Sequence, residues 1–181
     1  MNHLIESINK INITSLPLIG RGYTASAYLY KYTKKEQEKE LIIKLYNTDK
    51  NSVNFRRKQN SDSDIIRNYN LINNIIKNNI CPNFLYCYYI PNIYIKLKYI
   101  LLERAAGTLK NYFDANYNTS LSYPLLESII IQLLIGIMCM QKILFMEHRD
   151  LKLDNIFYKN IEPDTIINYN INNTVFTPLK I

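Results

Sequence analysis

The sequence predicts an α+β fold in which a five-stranded antiparallel sheet with one inserted helix precedes a mostly helical region. Three observations predict it. "AYLYKY" at 27–32 alternates with period two, which is typical of a half-buried strand. Apolar residues between Ser61 and Asn79 recur at helical spacing. The segment 125–145 is apolar nearly all round, which is typical of a helix enclosed by other elements.

The first third of the chain contains the strongest strand and turn signals. "SLPLIGRGYTASAYLYKYT" at 15–33 predicts a strand, a tight glycine turn and a second strand. "KKEQEKE" at 34–40 predicts a charged turn. "LIIKLYN" at 41–47 predicts a short apolar strand that carries Lys44 in its middle.

The next elements alternate between helix and strand. A helix is predicted over 61–79, and Ser61 or Ser63 is suited to cap its start. "CPNFLYCYYI" and "YIKLKYILLE" predict two further strands, separated by the turn signal "PN" at 91–92. "TLKNYFDAN" predicts a short helix. "YPLLESIIIQLLIGIMCMQKILF" predicts a long, mostly buried helix, and "NIFYK" and "VFTPLKI" predict two short strands around a polar excursion at 159–174.

Composition and charge limit the class of protein. Apolar residues make up 48% of the chain, enough for a core, and the net charge of +7 favours an anionic partner. Three cysteines without metal-site spacing favour reduced intracellular thiols over a disulfide scaffold or a zinc site. The apolar run 129–140 is shorter than the ~20 residues of a membrane span, and the N-terminus does not resemble a signal peptide. We therefore expect an intracellular, cytoplasmic protein without a membrane span.

Two weak signals precede the strongest motif. Gly20 and Gly22 lie on a strand-to-strand turn, where backbone N–H groups can approach a phosphate without a Cβ in the way. The same pattern also occurs in ordinary hairpins. Lys44 lies in an apolar strand, where a half-buried ammonium needs an anion unless its stem snorkels to the surface.

The segment "HRDLKLDN" at 148–155 packs many polar groups directly after an apolar helix. Asp150 and Asn155 stand five apart on a loop, so that a carboxylate and an amide oxygen can face one ligand from two sides. Lys152 lies between them and can meet a phosphate. Phosphoryl transfer needs this combination, because it uses an acid to orient a hydroxyl, an oxygen for a metal and a cation on the transferred group.

The segment resembles the catalytic loop of eukaryotic-type protein kinases. The family pattern H-R-D-L-K-x-x-N is matched at every fixed position, by His148, Arg149, Asp150, Leu151, Lys152 and Asn155. The lysine at 152 resembles serine/threonine kinases, since tyrosine kinases usually have alanine there. Arg149 argues against the related small-molecule phosphotransferases, which tend to have glycine. Composition and the long 156–180 segment also resemble kinases of large DNA viruses, such as poxviruses.

The resemblance implies a set of ligand-contacting residues. Gly20, Gly22 and Ala25 match the small positions of the glycine-rich loop, with Ala27 in place of its usual valine, and "LIIK" resembles "VAIK". Leu102 matches the gatekeeper. Residues expected to contact ATP are Gly20, Arg21, Gly22, Ala25, Ala27, Lys44 and the backbone of Glu103 and Ala105. Asp150 and Lys152 are expected to be catalytic, and Asn155 to bind Mg²⁺.

The chain departs from the family in two places. It ends at "TPLKI", before any D-F-G motif, so the resemblance implies an N-lobe at 14–103 and a partial C-lobe at 104–181. The chain could be a truncated or split reading frame, a domain fragment or a remnant.

The family also places a glutamate on the helix after Lys44. By apolar spacing Asn68 holds that position here, and Asp62 or Asp64 could serve only in a shifted register.

The resemblance implies ATP-dependent phosphorylation of serine or threonine in proteins, weak or lost in these 181 residues alone. The missing C-lobe, or a partner chain, is expected to be needed for stability. The alternative is a non-catalytic pseudokinase or decoy that binds a partner protein. A nucleic-acid-binding protein is not expected, because the charge and the sixteen tyrosines are unaccompanied by any recognised nucleic-acid motif.

Overall fold

The computed structural model describes residues 2–22, 25–34, 36–46, 55–91, 98–118, 121–162, 165–171 and 174–176. The chain divides into two compact units. The first comprises residues 1–71 and 85–104, and the second comprises residues 72–84 and 105–181.

The first unit is built on a five-stranded antiparallel sheet of order β1-β2-β3-β5-β4. Its strands are β1 (Leu18–Arg21), β2 (Ala25–Lys34), β3 (Gln37–Tyr46), β4 (Cys87–Tyr89) and β5 (Tyr99–Glu103). β3 lies at the centre and pairs along its whole length with β2, from Ala25↔Tyr46 to Lys34↔Gln37, and with β5 from Leu41↔Glu103 to Leu45↔Tyr99.

A helix covers each face of this sheet. On one face, α1 (Asn2–Asn9) packs Leu4 and Ile8 against Ile43 and Leu101. On the other face, α2 (Phe55–Lys77) packs Ile66 against a cluster of Ile42, Tyr46, Cys87, Ile100 and Leu102. Successive residues of a strand point to opposite faces, so neighbours in β3 and β5 belong to different clusters.

The second unit contains two further helices and two small sheets. Its elements are β6 (Gly107–Thr108), α3 (Leu109–Ala115), α4 (Tyr123–Lys142), β7 (Phe157–Tyr158), β8 (Tyr169–Ile171) and β9 (Thr174–Phe176). β6 pairs with β7, and β8 pairs with β9. A capping box starts α3, because the Thr108 side chain accepts from the Asn111 N–H while the Asn111 side chain accepts from the Thr108 N–H.

Asn83 connects three segments of the second unit. Its Nδ2 donates to the carbonyl of Gln132 in α4 at 2.8 Å, and its Oδ1 accepts from the Tyr169 hydroxyl of β8 at 2.8 Å. Next to it, the Asn170 N–H donates to the Ile80 carbonyl at 3.1 Å. Tyr169 is fully buried, so the polar excursion predicted at 159–174 contains an anchored strand.

Two predicted elements are wrong in detail, and one helix was not predicted. The charged turn at 34–40 is largely strand, because Lys31 pairs across the β2–β3 ladder with Glu38 at 2.9 Å and with Glu40 at 3.5 Å. The helix predicted from Ser61 begins at Phe55, since its first turns lack the apolar spacing that reveals a helix. The helix α1 was not predicted, because only two apolar residues of this short segment face the sheet.

The prediction that the long apolar helix is mostly buried is also wrong for the described residues. In α4 only Ser128, Gly136 and Cys139 are buried. Ile130, Leu134 and Met138 stand four residues apart on one stripe and are 56%, 59% and 39% exposed. By length and composition alone α4 could also cross a membrane. Its most apolar stretch of 18 residues has a mean hydropathy of 1.8, and 11% of that stretch is buried. Core helices of soluble proteins also meet these criteria of length and composition.

The exposed stripe of α4 should make the 181-residue chain self-associate. Each large apolar side chain left in water forgoes ~1.5–3 kcal/mol of burial. Replacing Ile130 and Leu134 together by glutamine should lower the fluorescence of a hydrophobic dye and raise the monomer fraction in size-exclusion chromatography. Replacing Tyr117 by glutamine, which removes an exposed apolar ring outside α4, should change neither. A wild-type chain that is monodisperse and does not bind the dye would contradict this prediction.

The hydrogen bonds of Asn83 should be important for the stability of the second unit. Asn83→Ala removes both and leaves the buried Tyr169 hydroxyl without its acceptor, so we expect a loss of ~2–4 kcal/mol. Tyr169→Phe removes one of the bonds and should cost about half as much. Urea denaturation followed by far-UV circular dichroism measures both. Equal stability of wild type and Asn83→Ala would show that these bonds contribute nothing net.

Candidate functional site

The loop at 148–155 brings its key polar side chains together. It begins with a turn in which the Asp150 N–H donates to the His148 carbonyl at 2.8 Å and Arg149 adopts a φ of 58°. A 3₁₀ turn follows, in which the Asn155 N–H donates to the Lys152 carbonyl at 2.8 Å. A positive φ at a non-glycine residue is uncommon and often marks a functional turn.

The three residues predicted to act on the phosphoryl group are in direct contact. Asn155 Nδ2 donates to Asp150 Oδ2 at 2.7 Å and to the Asp150 carbonyl at 2.8 Å. Lys152 Nζ lies 3.3 Å from the same Oδ2. Asp150 Oδ1 has no partner among the described residues, so one carboxylate oxygen is held in place and the other can accept a proton.

The loop keeps Asp150 ionised. The hydrogen bond from Asn155, and then that from Lys152, hold the pKa of the Asp150 carboxyl below its usual range. Both donors favour the charged form. At neutral pH Asp150 is therefore a carboxylate that can orient a hydroxyl group by accepting its hydrogen bond.

A second set of predicted residues forms one row across the sheet of the first unit. Gly20 pairs with Ala27, Ala27 with Lys44, and Lys44 with Ile100. Directly paired residues of antiparallel strands point to the same face. Gly20 and Ala27, two small residues, therefore lie in the same row as Lys44. They leave space over the sheet next to the Lys44 side chain.

The glycines of this turn are not required by the fold itself. The Gly22 N–H closes the turn on the Ala25 carbonyl at 2.8 Å, and no described glycine has a positive φ. A Cβ added at Gly20 would lie 3.9 Å from the nearest atom, and one at Gly22 would lie 3.4 Å away. Both distances are ordinary contacts, so neither close packing nor backbone conformation accounts for the two glycines.

Lys44 has no carboxylate partner among the described residues. No ion pair joins it to Asp62, Asp64 or any other described acid, and no hydrogen bond joins it to Asn68. Burial lowers the pKa of the Lys44 ammonium. Its Nζ lies over the ring of Tyr46, 5.6 Å from the centroid. Sequence reasoning missed Tyr46, although its position two residues after Lys44 places both side chains on one face.

The predicted hinge lies at the end of β5. Leu102, the matched gatekeeper, is buried in the α2-facing cluster. The Glu103 N–H donates to the Tyr86 carbonyl at 2.9 Å, and Glu103 Oε1 accepts from the Tyr86 N–H at 2.8 Å. No described residue accepts a hydrogen bond from the Ala105 N–H. The Glu103 N–H therefore donates within the first unit, whereas the Ala105 N–H can still donate a hydrogen bond to a ligand.

The described residues alone do not fit Mg²⁺. The amide of Asn155 is oriented by its two hydrogen bonds to Asp150, which leaves Oδ1 as its ligand atom. Among the described residues no group of three or more His, Cys, Asp or Glu side chains could hold a metal. Mg²⁺ prefers carboxylates together with phosphate oxygens, so one neutral amide oxygen is a poor site.

Comparison with known proteins identifies the fold. No family model matches the chain, and no curated protein matches it either. Among solved structures, the crystal structure of the PF14_0431 kinase domain matches with a TM-score of 0.58 and 17% identity, over 88% of this chain and 44% of that chain. The chain therefore has a kinase-like α+β fold, as predicted, and it spans less than half the length of the kinase domain it matches.

The contact between Asn155 and Asp150 should be measurable as a pKa change. Asn155→Ala removes the largest stabilising contact of the charged carboxyl, so the pKa of Asp150 should rise toward its ordinary value. A ¹³C NMR titration of the carboxyl groups measures it. Asn160→Ala, which removes an exposed amide from the same unit, should leave the Asp150 titration unchanged. An unshifted Asp150 in Asn155→Ala would show that the two side chains are apart in solution.

Proposed function

We propose that this chain is the nucleotide-binding and catalytic-loop part of a serine/threonine protein kinase. The observation that carries the proposal is the direct contact of Asp150, Lys152 and Asn155 in one loop, with Asp150 held as a carboxylate. A kinase-like fold by itself does not specify a reaction, whereas this set of groups suits one. The lysine at 152 favours serine or threonine as the acceptor.

In the first unit, the row of Gly20, Ala27 and Lys44 supports a role in phosphate binding. The small residues leave room for phosphate oxygens, and the glycines have no structural reason of their own. A half-buried ammonium without a carboxylate is poorly compensated, and an approaching phosphate would supply the missing negative charge. The amide of Ala105 and the backbone of Glu103 are suited to the adenine edge.

In the second unit, Asp150 would act on the acceptor hydroxyl. The hydroxyl oxygen attacks the γ-phosphorus, its proton passes to the Asp150 carboxylate, and the bond from the γ-phosphorus to the bridging oxygen breaks to release ADP. Lys152 opposes the charge that develops on the transferred group. Asn155 holds Asp150 in position and offers one amide oxygen.

These 181 residues lack part of the electrostatic stabilisation that the reaction needs. Loss of one preorganised group typically costs ~3–4 kcal/mol, or ~10²–10³ in rate. Among the described residues no carboxylate-rich metal site joins the amide oxygen of Asn155, so we expect weak nucleotide binding and no measurable transfer by this chain alone. The missing carboxylate at Lys44 also favours the second candidate, a non-catalytic chain that binds a partner protein.

The buried thiols of Cys81, Cys87 and Cys139 are free cysteines, which supports an intracellular location. We propose the cytoplasm as the compartment.

Nucleotide binding tests the proposal first. Lys44→Met should weaken the binding of an ATP analogue about tenfold, which corresponds to the loss of one charge-assisted contact. Lys98→Met, which removes an exposed lysine from the same unit, should have no effect. Isothermal titration calorimetry measures both. If wild type and Lys44→Met bind the nucleotide equally, Lys44 is not a phosphate ligand.

Phosphoryl transfer separates the two candidates. A longer polypeptide that continues from residue 181 through a D-F-G motif should transfer ³²P from ATP to serine or threonine of a protein substrate. Asp150→Ala should abolish that transfer, whereas Asp114→Ala should not. Partner binding without transfer by the longer polypeptide would favour the non-catalytic function. Robust transfer by the 181 residues alone, lost in Asp150→Ala, would contradict the expected loss of stabilisation.

A further inference from the structure

No carboxylate of the described residues pairs with the ammonium group of Lys44. Its side chain is half-buried in β3, next to the fully buried run Leu41–Ile43, and burial disfavours its charge. A flexible lysine side chain loses rotamer freedom when it is ordered, which costs free energy. Some other contact must therefore select the rotamer that reaches over the sheet.

The ring of Tyr46 is in the position to do so. Tyr46 follows Lys44 by two residues and points to the same face of β3, where its ring is 5% exposed. Lys44 Nζ lies 5.6 Å from the ring centroid. This distance is within the ~6 Å at which a ring face attracts a cation, and the attraction is stronger where water is excluded.

Tyr69 of α2 holds the Tyr46 ring. Tyr69 packs against the cluster that contains Tyr46, Ile42 and Cys87. A hydrogen bond from the Tyr46 hydroxyl to the Tyr69 oxygen contributes to the pKa shifts of both phenols. Burial, followed by the nearby charges, raises the pKa of both phenols, so both are neutral. Lys44 is therefore attracted by a ring face and not by a phenolate.

We propose that Tyr46, fixed by Tyr69, is the positioning residue of Lys44 and takes the place of the glutamate expected at position 68. The inference rests on the proposed function in its claim that the positioned ammonium binds phosphate. Contacts run from α2 through Tyr69 and Tyr46 to Lys44, all inside the first unit. A displacement of α2 along the sheet would move the ring, and the lysine would lose its support.

The position of the ammonium can be read without any nucleotide. A ring face shifts nearby protons upfield, so the Lys44 ε-CH₂ signal of ¹³C-lysine-labelled chain should be shifted, and Lys44→Arg assigns it. Tyr46→Leu should return this signal to the ordinary lysine position. Tyr32→Leu removes a tyrosine from the opposite face of the sheet and is the matched control, which should leave the signal unchanged.

The role of Tyr69 is tested by removing its hydroxyl group. Tyr46→Phe and Tyr69→Phe each remove the same hydrogen bond and keep both rings, so each should reduce the upfield shift. The double variant should reduce the upfield shift no further than either single variant, because only one hydrogen bond is lost in all three. These near-isosteric variants should remain folded by circular dichroism even if Tyr46→Leu does not. Additive effects, or none, would overturn the part assigned to Tyr69.

Nucleotide affinity connects the contact to the proposed function. Tyr46→Leu should weaken the binding of an ATP analogue about 3- to 10-fold, in line with the strength of a partly buried cation–ring contact. If Lys44→Met weakens binding and Tyr46→Leu does not, the positioning role is wrong while the proposed function stands. If the wild-type chain binds no nucleotide, the proposed function fails, and the ε-CH₂ signal still decides whether Tyr46 holds Lys44.

Discussion

The alternation of side chains along the central strand β3 is the constraint on which the first unit depends. Leu41 and Ile43 point to the face covered by α1, whereas Ile42, Lys44 and Tyr46 point to the face covered by α2. A slip of one residue would exchange the two sets and expose apolar side chains worth ~1.5–3 kcal/mol each. The packing of the apolar residues therefore also determines the face on which Lys44 lies.

The two parts of the candidate site are built by different physical means. Gly20, Ala27 and Lys44 come together only because the strand register places them in one row, so their arrangement depends on the packing of the whole sheet. Asp150, Lys152 and Asn155 lie within six residues and are joined by contacts among exposed side chains. Such a local arrangement needs little from the core, and its electrostatic contacts are weakened by water and salt.

The second unit has one well-anchored side and one open side. Around Asn83, polar groups are satisfied by Gln132 and Tyr169, and the thiols of Cys81 and Cys139 are buried. Burial raises the pKa of Cys81 to about 12, which keeps this thiol protonated and unreactive. On the other side of α4 the apolar stripe of Ile130, Leu134 and Met138 faces water.

The sequence alone determined the α+β class, the order of the main elements and the loop residues, because these depend on local periodicity and on short motifs. It could not reveal α1, the first turns of α2 or the strand β8, since each has few apolar residues. In addition, α1 and β8 are held by distant partners, Tyr30 and Asn83. The partner of Lys44 was also beyond the sequence. Helical spacing pointed to Asn68, whereas the tertiary structure placed the Tyr46 ring beside the ammonium, because strand register and helix packing together decide which side chains meet.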